Sequence, residues 1–280
     1  MINKTDHTEV STSIHIEKLS HLFQSHVDGG IAIAFSGGVD SSLLLKVACE
    51  VGKTSGHPVL AVTFETQLHP HGDLEEARKL ALSMGAIHKT ILVNEFADPE
   101  IMKNPVDRCY RCKKLLFQTF IKVAKEQGFT YLVDGTNYDD RNAYRPGMKA
   151  LTELGIRSPL LELQITKTQI RSMATSLHIP TSDKPSAPCL ATRLPYGTSF
   201  DFELLKRIDQ GELYLRQLGF YNVRLRLHGD ILRIEVDQSS FPLLFEHASN
   251  IIHHMKELGF LYITLDLEGF RSGSMDIKLT

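Results

Sequence analysis

Residues 31–46 read IAIAFSGGVDSSLLLK, and this stretch decides the fold. Five apolar residues, Ile31 to Phe35, have the length and composition of a strand buried on both faces. The run stops at Ser36-Gly37-Gly38, and an apolar helical stretch opens at Val39-Asp40-Ser41-Ser42. Two adjacent glycines allow a sharp turn and a close approach of the backbone to a ligand. A helix start directly after them offers N–H groups without helical partners, together with the positive end of the dipole. Ser36, Ser41 and Ser42 add hydroxyls without bulk. The expectation is a phosphate-binding loop between a buried strand and a helix.

The kind of phosphate follows from what the loop lacks. No Lys follows the glycines, so this is not a Walker loop, and the G-x-G-x-x-G of dinucleotide sites is absent. The pattern S-G-G-x-D-S resembles the PP-loop of ATP pyrophosphatases. That resemblance implies cleavage of ATP between its α and β phosphates, leaving AMP on the substrate and pyrophosphate in the loop. Ser36, Gly37, Gly38, Asp40, Ser41 and Ser42 would then bind ATP, with Asp40 helping to hold Mg²⁺. The plainer reading is a Gly-Gly turn with an Asp near a helix start, which is common.

Outward from the loop, strands and helices alternate. A helix is expected over 14–27 after a loose leader (1–13), then the loop helix over 42–51. Strands follow at 59–64 (VLAVTF), 90–93 (TILV) and 131–133, with helices over 74–84 and 108–127 between them. This order predicts an α/β fold with a doubly wound parallel sheet. Ligands in such sheets sit beyond the carboxyl ends of the strands, so the loop, residues 64–66 and residues 134–137 should share one crevice. After a helix over 165–177, Pro180, Pro185, Pro188 and Pro195 punctuate a connector. A helix over 200–218, the hairpin VRLRLHGDILRIEV, a helix over 243–258 and a strand over 261–267 complete a smaller α+β domain. The boundary is expected near residue 195, giving domains 1–195 and 196–280.

The chain has 280 residues, with 31 basic against 33 acidic side chains and a net charge of −2. That balance carries no signature of nucleic-acid binding. The polar start, MINKTDHTEVSTS, is not a secretory signal, and no apolar run approaches ~20 residues. Four cysteines in such a chain are expected as reduced thiols in the cytoplasm. The histidines, including His69 and His71, show no metal-ligand spacing.

Cys109 and Cys112 stand in R-C-Y-R-C-K-K, and Cys189 stands far downstream in S-A-P-C-L-A-T-R. With Asp107 as N-cap, the first two project from one face of a helix start among Arg108, Arg111, Lys113 and Lys114. That setting favours thiolates, which soft metals and iron–sulfur clusters require. A half-buried pair, a C-x-x-C redox pair and a structural zinc site remain open readings; zinc wants four ligands, and Cys49 sits in an apolar helix better explained by core packing. Three cysteines would hold a 4Fe-4S cluster with one iron open. Arg224, Arg226 and His228 alternate with apolar residues and share one strand face, which solvation alone would explain.

Over nearly its whole length the chain is similar to the LarE family of ATP-dependent sulfur transferases. The likeness is carried by AFSGGVDSS, DGTNYDDRNAYRPGMKA, PCLATRLPYGT, the VRLRLHGD hairpin and YITLDLEGFRSGSM. It implies stepwise adenylation and thiolation of the carboxylates of pyridinium-3,5-biscarboxylic acid mononucleotide, on the way to a nickel-pincer cofactor used by lactate racemase. It implies that Cys189 is either a sacrificial sulfur donor or one of three cluster ligands. Because Cys109 and Cys112 are both present, the chain resembles the cluster-dependent branch, with metal ligands Cys109, Cys112 and Cys189. Arg193 is then a candidate to neutralise charge near the acyl adenylate, and Glu212 a catalytic candidate on a helix facing the crevice. Asp134 becomes a candidate for ribose or Mg²⁺, and Arg224, Arg226 and Arg271 for the substrate phosphate. The family also implies a homo-oligomer, a hexamer.

Three other readings compete. A PP-loop tRNA thiolase would share the core but usually adds zinc modules and a more basic surface. An NAD or GMP synthetase would leave the three cysteines unexplained. A nucleotide sensor would bind ATP without cleaving it.

Overall fold

A computed structural model describes residues 4–69, 73–142, 144–185 and 188–276. His71, Ala143 and the pair Ser186-Ala187, which fall in stretches read above, lie outside the described residues. In chain order the elements are α1 (Lys4–Gln24), β1 (Ile31–Ala34), α2 (Val39–Ser55), β2 (Val59–Glu65), α3 (Asp73–Ser83) and β3 (Ile87–Leu92). Then come α4 (Pro99–Met102), α5 (Arg108–Glu126), β4 (Tyr131–Val133), α6 (Gly147–Glu153), α7 (Pro159–Glu162) and α8 (Lys167–Ser176). Last are α9 (Phe202–Gln217), β5 (Val223–His228), β6 (Ile231–Val236), α10 (Phe241–Glu246), α11 (Ala248–Glu257) and β7 (Tyr262–Leu265).

The chain divides into two compact units. The first comprises Met1–Thr66, Gly72–Glu95 and Cys109–Ser186. Its four strands are all parallel, in the order β3-β2-β1-β4, with Ile31 opposite both Val59 and Tyr131. Alternate residues of these short apolar strands point to opposite faces. Ile31, Ile33, Val59 and Ala61 join the core built with α1, α2 and α8. Ala32, Leu60 and Val62 join the core built with Leu116, Phe117 and Phe120 of α5. Helices on both faces of a parallel sheet make this an α/β fold, and the strand order reverses at β1, where ligands of such sheets bind.

The second unit comprises Gln67–His71, Phe96–Arg108 and Ala187–Thr280. Its sheet has the order β5-β6-β7, with β5 antiparallel and β7 parallel to β6. Leu225, Leu232 and Ile234 are buried in it together with Leu205 and Ile208 of α9 and Ile251 and Met255 of α11.

Several boundaries differ from those expected. The stretch expected to be a loose leader is helical from Lys4 onward; residues 4–13 contain neither Gly nor Pro to stop a helix. The helix expected over 243–258 is two helices parted at His247, and the one over 165–177 starts at a Thr166–Gln169 capping box. Among the described residues no helix is long and apolar enough to cross a membrane.

Candidate active site

The phosphate loop leaves β1 at Phe35 and enters α2 with Gly38 as N-cap. A glycine cap has no side chain to accept from the first-turn N–H groups, which leaves those donors without a side-chain cap and suited to an anion. Gly37 needs its glycine twice over: φ is +71°, and a Cβ there would sit 3.1 Å from the Ala77 Cβ of α3. Ser41 holds the loop from within. Its Oγ donates to the Gly38 carbonyl (3.1 Å) and lies 3.3 Å from both the Ser36 N–H nitrogen and the Ser36 Oγ.

Beside the loop runs the segment after β4. A Cβ on Gly135 would come within 3.2 Å of the Ser41 nitrogen and 3.3 Å of the Asp40 Cβ, so only glycine lets the two segments close up. Asp134, buried, accepts from Ser158 Oγ (2.6 Å) on one oxygen and from Thr136 Oγ1 (2.6 Å) on the other, with Lys113 Nζ at 3.5 Å. It therefore ties β4, α5 and the start of α7 together. Asp134, the candidate for ribose or Mg²⁺, thus has one hydroxyl donor on each oxygen, which leaves each oxygen able to accept again.

Asp40 is the exception to such satisfaction. Lys167 Nζ, at the start of α8, lies 2.5 Å from its Oδ2, while Oδ1 is buried with no hydrogen-bond partner among the described residues. Burial pushes the Asp40 carboxyl above its ordinary range, against the pull of Lys167. The Ser42 hydroxyl is likewise buried and unpartnered among the described residues. A carboxylate oxygen without a donor, a lysine and uncapped N–H groups are the donor and acceptor set that a Mg²⁺-bound polyphosphate requires. Lys167 was not legible as a site residue from spacing. Its signal was position: a lysine at the first turn of a helix opposes the dipole, so it needs an acid elsewhere.

The cysteines fall in both units. Cys109 and Cys112 are half-buried at the start of α5. A Cβ on Gly147, which opens α6, would meet Lys113 Cδ at 2.7 Å and the Cys109 carbonyl at 3.3 Å, so α6 packs closely on the cysteine turn. Cys189, also half-buried, belongs to the second unit and precedes a 3-10 turn, Leu190–Arg193. Among the described residues, no three His, Cys, Asp or Glu side chains group as a metal site. Cys49 lies in the core of the first unit, where burial pushes its thiol up to about 12.

Within the second unit three of the four basic candidates, Arg193, Arg224 and Arg226, prove to be buried. Arg193 is fully enclosed and pairs with the equally enclosed Glu212 through two bonds, Nε–Oε1 at 2.6 Å and Nη2–Oε2 at 2.9 Å. Its remaining nitrogen, Nη1, donates to Thr192 Oγ1 (2.7 Å) and reaches the Pro188 and Cys189 carbonyls at 3.2 and 3.4 Å. Glu212 also accepts from Arg216 (2.8 Å) and from the Leu225 N–H (3.0 Å). Arg226 donates to Glu235 (3.2 Å) and to the Thr192 carbonyl (2.6 Å). Arg224 lies over the Phe270 ring, and burial, with Arg193 nearby, brings its guanidinium down to about 10. Arg271 is half-buried between Asp266 (3.1 Å) and Glu268 (2.6 Å). The expected solvated strand face is thus a buried one, because α9, β6 and the 3-10 turn supply carboxylates and carbonyls to it.

Residues 11–142 match the PP-loop domain family. An uncharacterized protein of Synechocystis sp. is 41% identical over 250 residues, 89% of this chain and 92% of its own. The pyridinium-3,5-bisthiocarboxylic acid mononucleotide synthase of Lactiplantibacillus plantarum is 36% identical over 251 residues, 89% of this chain and 90% of its own. The chain belongs to the LarE family. As a LarE-family protein it is an ATP-dependent sulfurtransferase, and the loop at Ser36–Ser42 lies within the stretch that matches the PP-loop domain. A tRNA-specific 2-thiouridylase of Rickettsia bellii matches less, 26% identical over 196 residues and 56% of this chain. Its match leaves much of the LarE-family chain uncovered.

Proposed function

We infer that this enzyme activates the carboxylates of pyridinium-3,5-biscarboxylic acid mononucleotide with ATP and converts them to thiocarboxylates. The observation that carries this reading is the phosphate loop with a buried Asp40 oxygen, unpartnered among the described residues, beside Lys167, in a chain of which 89% aligns with a synthase of the bisthiocarboxylic product. A carboxylate oxygen is a poor leaving group. Attack of that oxygen on the α-phosphorus of ATP releases pyrophosphate and leaves an acyl adenylate; a sulfide then attacks the acyl carbon and AMP departs.

The loop N–H groups and Lys167 stabilise the charge that accumulates on the departing pyrophosphate. Asp40 is the residue to hold Mg²⁺, which would neutralise that product as it forms. Arg224, Arg226 and Arg271 are the candidates for the substrate phosphate, and Arg193 and Glu212 hold the Cys189 turn. Cys109, Cys112 and Cys189 would be the residues to hold a 4Fe-4S cluster, and such a cluster would supply the sulfide. The i, i+3 spacing of the first two at one helix start supports that assignment. The same family reading gives a cytoplasmic homo-oligomer, a hexamer, acting on a small nucleotide rather than on nucleic acid.

A second reading needs Cys189 alone, a half-buried thiol on a turn whose carbonyls Arg193 holds. There the Cys189 thiolate attacks the acyl adenylate and AMP departs; loss of the Cys189 Hα with cleavage of its Cβ–Sγ bond then releases the thiocarboxylate and leaves dehydroalanine. Anaerobic purification with iron and labile-sulfide analysis, comparing wild type with Cys109→Ala, tests the two. Iron that is lost in Cys109→Ala supports the cluster. Iron-free wild-type protein that still thiolates, with Cys189 converted to dehydroalanine by mass spectrometry, replaces it with the sacrificial reading. No substrate-dependent pyrophosphate release in either protein removes both.

A further inference from the structure

A polar pair interrupts the apolar side of the main sheet beside the phosphate loop. Val59 and Ala61 of β2 face the core with Ile31 and Ile33, and Thr63 is the next residue on that side. Thr63 is buried, yet its hydroxyl lies 2.8 Å from the Phe35 carbonyl and 2.9 Å from His88 Nε2 of β3. The Phe35 carbonyl is the last one before Ser36, the first residue of the loop.

Donor accounting fixes the direction of both bonds. A hydroxyl has one proton, and the carbonyl can only accept, so Thr63 donates to Phe35. Its oxygen then accepts from His88 Nε2–H. Burial, reinforced by Arg78 and opposed by Glu75 on α3, holds the His88 ring below its ordinary pKa, so the ring is neutral near pH 7 with its proton on Nε2. A valine would fill the same space with the same preference for a strand and would need no partners. The hydroxyl is tolerated here because both neighbours satisfy it.

We propose that Thr63, seated by His88, is a positioning residue for the phosphate loop. Ser41 ties the loop to α2 and Ala77 backs it from α3, while Thr63 fixes the point at which it leaves the sheet. With that carbonyl fixed, the backbone from Ser36 to Gly38 keeps its aim at a bound pyrophosphate. The proposal rests on the reading of this loop as the ATP site.

The test is calorimetric titration of the full chain with magnesium pyrophosphate, alongside thermal melting. Thr63→Val should weaken binding about five- to tenfold, the scale of one hydrogen bond, and Thr63→Ser should restore it to within about twofold. His88→Ala, which keeps the hydroxyl but unseats it, should fall between them and serves as the comparison if Thr63→Val melts too low to titrate. A hydroxyl that matters to stability alone would shift the melting temperature and leave the affinity of folded protein untouched. Wild-type affinity in Thr63→Val and His88→Ala overturns the proposal, as does equal weakness of Thr63→Val and Thr63→Ser. Wild-type protein that does not bind magnesium pyrophosphate removes the loop reading along with it, a failure seen before any variant is compared.

Discussion

Lys167 Nζ lies 2.5 Å from Asp40 Oδ2, joining residues 127 positions apart at the start of two different helices. Each helix N-terminus disfavours a lysine and favours an acid, so the pair is asymmetric: Asp40 suits its own position and Lys167 does not. Asp40 offsets the unfavourable placement of Lys167, and under the proposed function the same ammonium would also serve the polyphosphate of ATP. Substituting Lys167 by Met should weaken Mg-ATP binding by about tenfold or more, and Asp40→Asn should lower pyrophosphate formation about a hundredfold. ATP–pyrophosphate exchange, measured with the carboxylated substrate present, separates the two; unchanged exchange in Asp40→Asn would show that the acid has no part in holding the metal.

Glu212 is a fully enclosed carboxylate surrounded by donors. Burial would raise its pKa, but Arg193, with the Leu225 N–H, outweighs burial and holds it below the ordinary glutamate range. A depressed folded-state pKa means stability that is fully present above the unfolded value and lost as pH falls through the folded one. Urea melts should therefore show wild type losing stability steeply below about pH 4.5. Glu212→Gln should flatten that loss, and Glu212→Ala should cost about 3–5 kcal/mol at neutral pH by stranding Arg193. A pH profile for Glu212→Gln identical to wild type would contradict this.

Gly147 bears on the cysteine helix. Its replacement by Val drives a branched side chain against Lys113 and the Cys109 carbonyl, and the first turn of α5 must move. On the proposed cluster reading, iron content per chain after anaerobic purification should fall at least several-fold, while pyrophosphate exchange, which does not draw on the cysteines, should fall less than about twofold. Equal loss of both would indicate general misfolding instead.

Cys49 should behave as a core residue. With its thiol pushed up to about 12, it carries almost no thiolate at neutral pH. Iodoacetamide at pH 7.5 should label the native chain elsewhere first, and Cys49→Ala should cost about 1 kcal/mol of stability with unchanged iron content. Peptide mapping and iron analysis check both.

Much of the first unit was legible because β1, β2 and β4 are short apolar runs with glycines nearby and its helices alternate with them. The loop at Ser36–Ser42 was legible for the same reason: a strand, two glycines and a helix start stand consecutively in the chain. The rest depended on partners distant in sequence. Arg224 and Arg226 alternate with leucines just as a solvated face would, and only Glu212, Glu235 and the Thr192 carbonyl, from three other elements, make that face an interior one. One trace was available, since Arg224 stands opposite Glu235 in the hairpin register. Thr63 was hidden differently: a single hydroxyl in VLAVTF leaves the pattern of a buried strand intact.

The second unit takes two of its pieces, Gln67–His71 and Phe96–Arg108, from the midst of the first unit's sequence. Phe96 stacks edge-on against Phe200 and Phe202, and Asn104 donates to the Pro195 carbonyl at 2.8 Å. No single cut can therefore release either half intact, so grafting, truncation or shuffling at one junction would sever a shared weave. On the ribosome those early pieces emerge before residues 187–280 with which they group, so the second unit is complete only once that last third has been made.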